Sequence, residues 1–139
     1  MPVIQFFQEE IRFKLSSPRK STRWILNVVK SENNQVAGIN FIFCSDRYLK
    51  TINVEYLAHD TFTDVITFDY SDESGIQGDV FISIERVREN AQKFRTDVDE
   101  EVHRVMVHGV LHLLGYKDKS KTSKALMRKK EDAYLSLRN

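Results

Sequence analysis

The chain has 139 residues, of which 41% are hydrophobic and 29% charged, and a formal net charge of +1. That length suits one domain with a real core, and the composition is that of a globular protein rather than a disordered or fibrous one. No apolar run approaches a membrane span, the first residues lack the basic start and apolar stretch of a signal peptide, and the one cysteine, Cys44, cannot close an internal disulfide; a cytoplasmic location is therefore expected.

Taken in order, residues 2–7 alternate weakly and predict a first strand. Ser16, Ser17 and Pro18 read as an N-cap and first turn, opening a helix to about residue 32 that buries Trp24, Ile25, Val28 and Val29. Val36 to Phe43 is rich in β-branched and aromatic residues and predicts a second strand ending at a buried Cys44. Ser45 and Asp46 cap a helix running to about Leu57. Asp64 to Phe68 and Asp79 to Ile84 predict two more strands, joined across a polar turn at 72–78 and able to pair as a hairpin. Helices follow over about 85–94, 98–114 and 122–137. Strands mixed with helices early and helices alone late indicate an α+β layered fold. The expectation is a single αβα domain over 1–139, with a four-stranded mixed sheet and a central buried helix packed on one face.

That central helix carries the most specific pattern in the chain. His108 and His112 stand four residues apart, Gly115 follows three residues later, and Asp118 three after that. Residues i and i+4 lie about 40° apart around a helix, one turn up, so both imidazoles can close on one ion. Gly115 is where the helix should stop, letting Asp118 fold back toward the same ion. Two nitrogens and one oxygen suit zinc with a fourth position left for water, the arrangement of a catalytic rather than a structural site. Other readings stand beside this one. The histidines could be core residues bonded to backbone carbonyls, and Asp118 could cap the next helix in competition with Ser120, Thr122 and Ser123. The metal could equally be iron, nickel or manganese. Just beyond lies a basic segment, Lys117, Lys119, Lys121, Lys124, Arg128, Lys129 and Lys130. It reads either as a contact for a polyanion such as RNA or as a solvated helix face.

His108-Gly-Val-Leu-His112-Leu-Leu-Gly115-Tyr-Lys-Asp118 resembles the signature of the YbeY family of metal-dependent endoribonucleases. Thr63-Asp-Val-Ile-Thr-Phe68 and Gly78-Asp79-Val80 with Ile82 and Ser83 resemble two further segments of that family. The resemblance implies an αβα fold, a bound Zn2+ held by His108, His112 and the residue at 118, and cleavage of single-stranded RNA during maturation of small-subunit ribosomal RNA. Ribosomal RNA and small-subunit proteins or assembly factors would then be partners. Two departures stand out: Asp118 replaces the family's usual histidine, and Leu57 occupies a position where the family usually has an arginine. The group that cleaves would be a metal-activated water, with Asp64 and Asp79 as candidates for the cleft wall; capping of a turn or strand end is the alternative for both. A non-catalytic rRNA-binding assembly factor with a structural metal is the second functional reading. A zinc peptidase is a distant third, because Gly109 stands where such enzymes carry a glutamate base.

Overall fold

The computed structural model describes residues 3–58 and 63–138. Its elements in chain order are β1 (Ile4–Glu9), α1 (Pro18–Ser31), β2 (Val36–Cys44), α2 (Asp46–Leu57), β3 (Val65–Asp69), β4 (Ile76–Ser83), α3 (Ile84–Phe94), α4 (Val98–Leu113) and α5 (Lys121–Ser136). Every expected element is present and the fold is α+β. The strands form one sheet in the order β1-β2-β4-β3. β1 pairs parallel to β2, β2 parallel to β4, and β3 antiparallel to β4 as the expected hairpin. Among the described residues no helix is long and apolar enough to cross a membrane.

Alternation along the strands separates two cores. Ile39, Phe41 and Phe43 of β2 and Val80 and Ile82 of β4 face the main core, with Trp24, Ile25, Val28 and Val29 of α1 and Met106, Val110 and Leu111 of α4. On the opposite face Cys44 and Ile66 meet Leu49 and Ile52 of α2, with Phe68 and Phe81 packed against them. Cys44 is the buried small residue expected, its thiol directed at the Ile82 carbonyl, and burial holds it up at about 12.

Local boundaries differ from expectation in places, and β1 runs Ile4–Glu9 rather than over residues 2–7. β4 starts at Ile76 rather than Asp79, because Gly75, at φ +136°, makes the turn and pairs with Asp72. Ser17 does not cap α1: it sits in the left-handed region at φ 50° and makes no side-chain capping bond. Its neighbour Ser16 instead donates to Asp99 Oδ1 at 2.7 Å, tying the entry of α1 to the first turn of α4.

α4 lies across β3 and β4, and the sequence lets it come close. A Cβ on Gly109 would sit 2.7 Å from Val80 Cγ1 and 3.3 Å from Thr67 Oγ1. Val80 is fully buried and β-branched, so it cannot rotate away. The space left by the missing side chain is what brings this part of α4, with His108 and His112 on either side of Gly109, against the edge strand β3.

An exposed helical glycine replaced by alanine gains about 1 kcal/mol. Here the sign should reverse: Gly109→Ala should lose about 1–3 kcal/mol through overpacking. Urea denaturation reads the difference, and an unchanged or raised midpoint would contradict the close approach of α4 to the sheet.

Candidate metal centre

The pattern His108, His112, Asp118 closes in space. His108 Nε2 and His112 Nε2 are 3.0 Å apart, and Asp118 Oδ2 is 3.3 Å from each. Among the described residues this is the one group of three or more His, Cys, Asp or Glu side chains placed to hold an ion. A tetrahedral ion with bonds of about 2.0–2.1 Å separates its ligands by about 3.3 Å, so the triangle has the right size. No fourth protein ligand appears among the described residues; Cys44 is committed to the other core, and His59 lies outside them.

The outer nitrogens of both rings decide what the inner ones can do. His112 Nδ1 is 3.0 Å from the Tyr116 carbonyl, which can only accept, so Nδ1 carries the hydrogen. His108 Nδ1 is 2.6 Å from Glu131 Oε2 and donates to it. Each neutral ring therefore turns a lone pair on Nε2 toward the other and toward Asp118. Three electron-rich atoms at this spacing repel unless a proton or a metal cation lies among them. A carboxylate behind a metal-binding histidine is the usual orienting partner of such ligands. The field of the site agrees. Burial alone would lower the His108 pKa, yet the bond and charge of Glu131, with Asp118 and Asp64, carry it above its ordinary value. That preference for positive charge is what a metal would use.

The backbone builds this arrangement from the expected signals. Gly115, at φ +103°, ends α4. Tyr116 N donates to Leu111 O and Gly115 N to His112 O, the paired bonds of a Schellman motif. The turn delivers the Tyr116 carbonyl to His112, and the Tyr116 hydroxyl is held by Glu32 Oε1 at 2.6 Å. Ser120 caps α5, with Ser123 completing a capping box, so Asp118 is released from the capping role that competed for it.

The remaining histidine of α4 serves packing. His103, 2% exposed, meets the Asp99 carbonyl through Nδ1 and the Ser21 hydroxyl through Nε2, both at 2.7 Å, and burial lowers its pKa.

Two cavities meet at the triangle. The larger, about 670 Å³, crosses the edge strand from Asn53 and Leu57 of α2 to His108, His112, Asp118 and Lys119. The smaller, about 360 Å³, lies between α3, α4 and α5. Asp64, Val65, His108 and Asp118 line both. Asp64 lines both cavities, and burial holds its carboxyl above the ordinary range against the pull of His108. Asp79 does not join it. Its carboxylate accepts from Asn40 Nδ2 at 3.0 Å and lines a separate depression beside Tyr70 and Gln77. The basic segment divides similarly. Lys119 lines the larger cavity, Lys124 and Arg128 the smaller, while Lys117, Lys121 and Lys129 are exposed. Lys130, read as part of a possible RNA contact, is engaged within the fold: its ammonium donates to Glu32 at 3.1 Å, beside the Tyr116 and Tyr134 rings.

Glu131 is the site residue that the sequence reading did not pick out. It is buried, and its second oxygen accepts from Arg104 Nη1 at 3.0 Å. One signal could have found it: Met127, Glu131 and Tyr134 recur at the spacing of a buried helix face, and a carboxylate on such a stripe needs partners.

A family model described as Endoribonuclease YbeY matches residues 3–139. A protein of that description from Amoebophilus asiaticus is 51% identical over 133 residues, covering 95% of this chain and 90% of its own. Another, from Flavobacterium psychrophilum, is 53% identical over 131 residues, covering 94% of each. The solution structure of a Thermotoga maritima protein shares the fold, with a TM-score of 0.69 at 24% identity, covering 96% of this chain and 88% of that one.

Glu131→Gln keeps the shape and an acceptor behind His108 but removes the charge. Metal affinity should fall about 10- to 100-fold, the usual effect of losing an outer-shell partner. Competition titration against a chromophoric chelator measures it; affinity within twofold of wild type would show that Glu131 serves only packing.

Proposed function

The chain belongs to the endoribonuclease YbeY family, and from that premise we propose that residues 1–139 act as one metallo-endoribonuclease domain that hydrolyses single-stranded RNA. The observation that carries the reading is the closed triangle of His108, His112 and Asp118 at the junction of two cavities. The ion proposed is Zn2+, which suits two imidazoles and a carboxylate at this spacing. The substrate proposed is ribosomal RNA during maturation of the small subunit, in the cytoplasm, with small-subunit proteins or assembly factors as partners.

When bound, the ion supplies Lewis acidity to a phosphate oxygen and makes a water acidic enough to attack near neutral pH. The chain's own groups do the rest. Glu131 and the Tyr116 carbonyl fix both imidazoles with Nε2 inward. Asp118 adds a negative charge where most relatives are expected to carry a neutral ring, which tightens the hold on a cation and moderates its pull on water. Asp64, half-buried where the two cavities meet, would hold or pass a proton at its carboxyl beside the scissile phosphate. Leu57 puts an apolar wall where the family usually has an arginine, so the phosphate charge falls to Lys119, Lys124 and Arg128 at the cavity walls. A cleft that opens to either side of the ion takes an unpaired strand, whose bases can splay apart, more readily than a stacked A-form duplex.

Pure protein should cleave single-stranded fragments of small-subunit rRNA and leave the same sequence intact when annealed to its complement. A chelator or His108→Ala should lower the rate at least about a hundredfold, the scale of one lost contact to transition-state charge. Cleavage that persists undiminished with chelator and in His108→Ala would sink the metal mechanism.

A further inference from the structure

The smaller cavity contains a group that the metal chemistry does not use. Glu101 is 6% exposed as a residue and lines the cavity wall, and among the described residues no hydrogen bond or ion pair uses its carboxyl, whose oxygens stay accessible from the cavity. The nearest cation, Arg104, is already committed: Nη1 donates to Glu131 at 3.0 Å and Nη2 to Asp132 at 2.7 Å. A mostly buried carboxyl that meets no protein donor keeps its acceptor capacity for a molecule that enters the cavity.

The placement says what. Glu101, Val105 and His108 are spaced i, i+4, i+7 on one face of α4, so Glu101 and the metal ligand share a wall. The rise between positions 101 and 108 is about 10 Å, a span that one nucleotide covers from its phosphate to the edge of its base. Val65, Val105 and Met127 give the cavity an apolar lining. At its rim stands Phe94, 56% exposed, with Lys93 Nζ over its ring at 5.6 Å. Exposed aromatic rings beside a basic groove are platforms on which single-stranded bases stack. Lys124 and Arg128 on the α5 side supply charge for the connecting phosphate.

We propose that this cavity is a nucleobase subsite in which Glu101 accepts hydrogen bonds from the amino group of an unpaired base adjoining the scissile phosphate, with Phe94 as its stacking face. The inference rests on the reading of this protein as an RNA endonuclease, and deepens it by naming which pyrimidine the cleft selects. Cytosine and uracil have the same outline, but cytosine presents an N4 amino donor where uracil presents an O4 acceptor. Uracil would set its O4 acceptor against the carboxyl, so between the two pyrimidines the subsite takes cytosine and rejects uracil.

The test uses nucleotides with no phosphodiester bond to cleave. CMP and UMP are titrated into the zinc-loaded protein and followed by amide chemical shifts. CMP should bind about tenfold more tightly than UMP, the scale of one good base-edge contact, with shifts centred on Glu101 and Phe94. Glu101→Gln, which keeps the shape and exchanges one acceptor for a donor, should bring the two affinities within about twofold. Phe94→Ala, at an exposed position that the fold does not depend on, should weaken both nucleotides together. Equal binding of CMP and UMP by wild type, no binding of either, or a preference that survives Glu101→Gln overturns the subsite. Failure of wild type to cleave RNA would instead count against the endonuclease reading, and the nucleotide titration would still decide the subsite.

Discussion

Two imidazole lone pairs held face to face are the constraint around which this protein is arranged. The Tyr116 carbonyl and the Glu131 carboxylate take the outer hydrogens of His112 and His108, which leaves Nε2 of each ring turned inward at 3.0 Å. Bringing two acceptors and a carboxylate together costs energy in a half-buried setting unless a cation joins them. The fold commits several devices to keeping them there. Gly109 lets α4 lie close on β4, Gly115 turns the chain so that the Tyr116 carbonyl arrives, and the Ser120 cap starts α5 so that Glu131 lies behind His108. On the far side, Glu32 receives the hydroxyls of Tyr116 and Tyr134 and the ammonium of Lys130, linking the end of α1 to both segments that orient the histidines.

Charge explains how the site can be acidic at its centre and basic at its approaches. Asp64, Asp118 and Glu131 surround the imidazoles and favour a cation there. Lys119, Lys124 and Arg128 stand farther out along the two cavities, where a polyanionic strand would pass. With a net charge of only +1, the molecule has no global pull on nucleic acid. Attraction has to be local, and segregating the cations to the cavity walls provides it.

Much of this was legible before the structure. Periodicity located every helix and strand, since amphipathic helices and β-branched runs alternate clearly along the chain. The metal triangle was legible because its ligands lie within eleven residues and helix geometry fixes their relation. What escaped was non-local. The strand order β1-β2-β4-β3 depends on long crossovers that no short window contains. Glu131 follows directly on the basic stretch and drew no reading, although its register with Met127 and Tyr134 placed it on the buried face. Lys130 looked like an RNA contact until Glu32, ninety-eight residues earlier, proved to hold it. Asp79 carried a family-like motif, but alternation along β4 turned it away from α4 and toward Asn40.

The central claim is that His108, His112 and Asp118 together hold one ion. Metal content of purified protein after zinc loading and exhaustive dialysis tests it most directly, in wild type and in His108→Ala, His112→Ala and Asp118→Ala. The account predicts one ion per chain in wild type, essentially none in either histidine variant, and a weakened, substoichiometric content in Asp118→Ala. Stoichiometric metal retained in either histidine variant would contradict it.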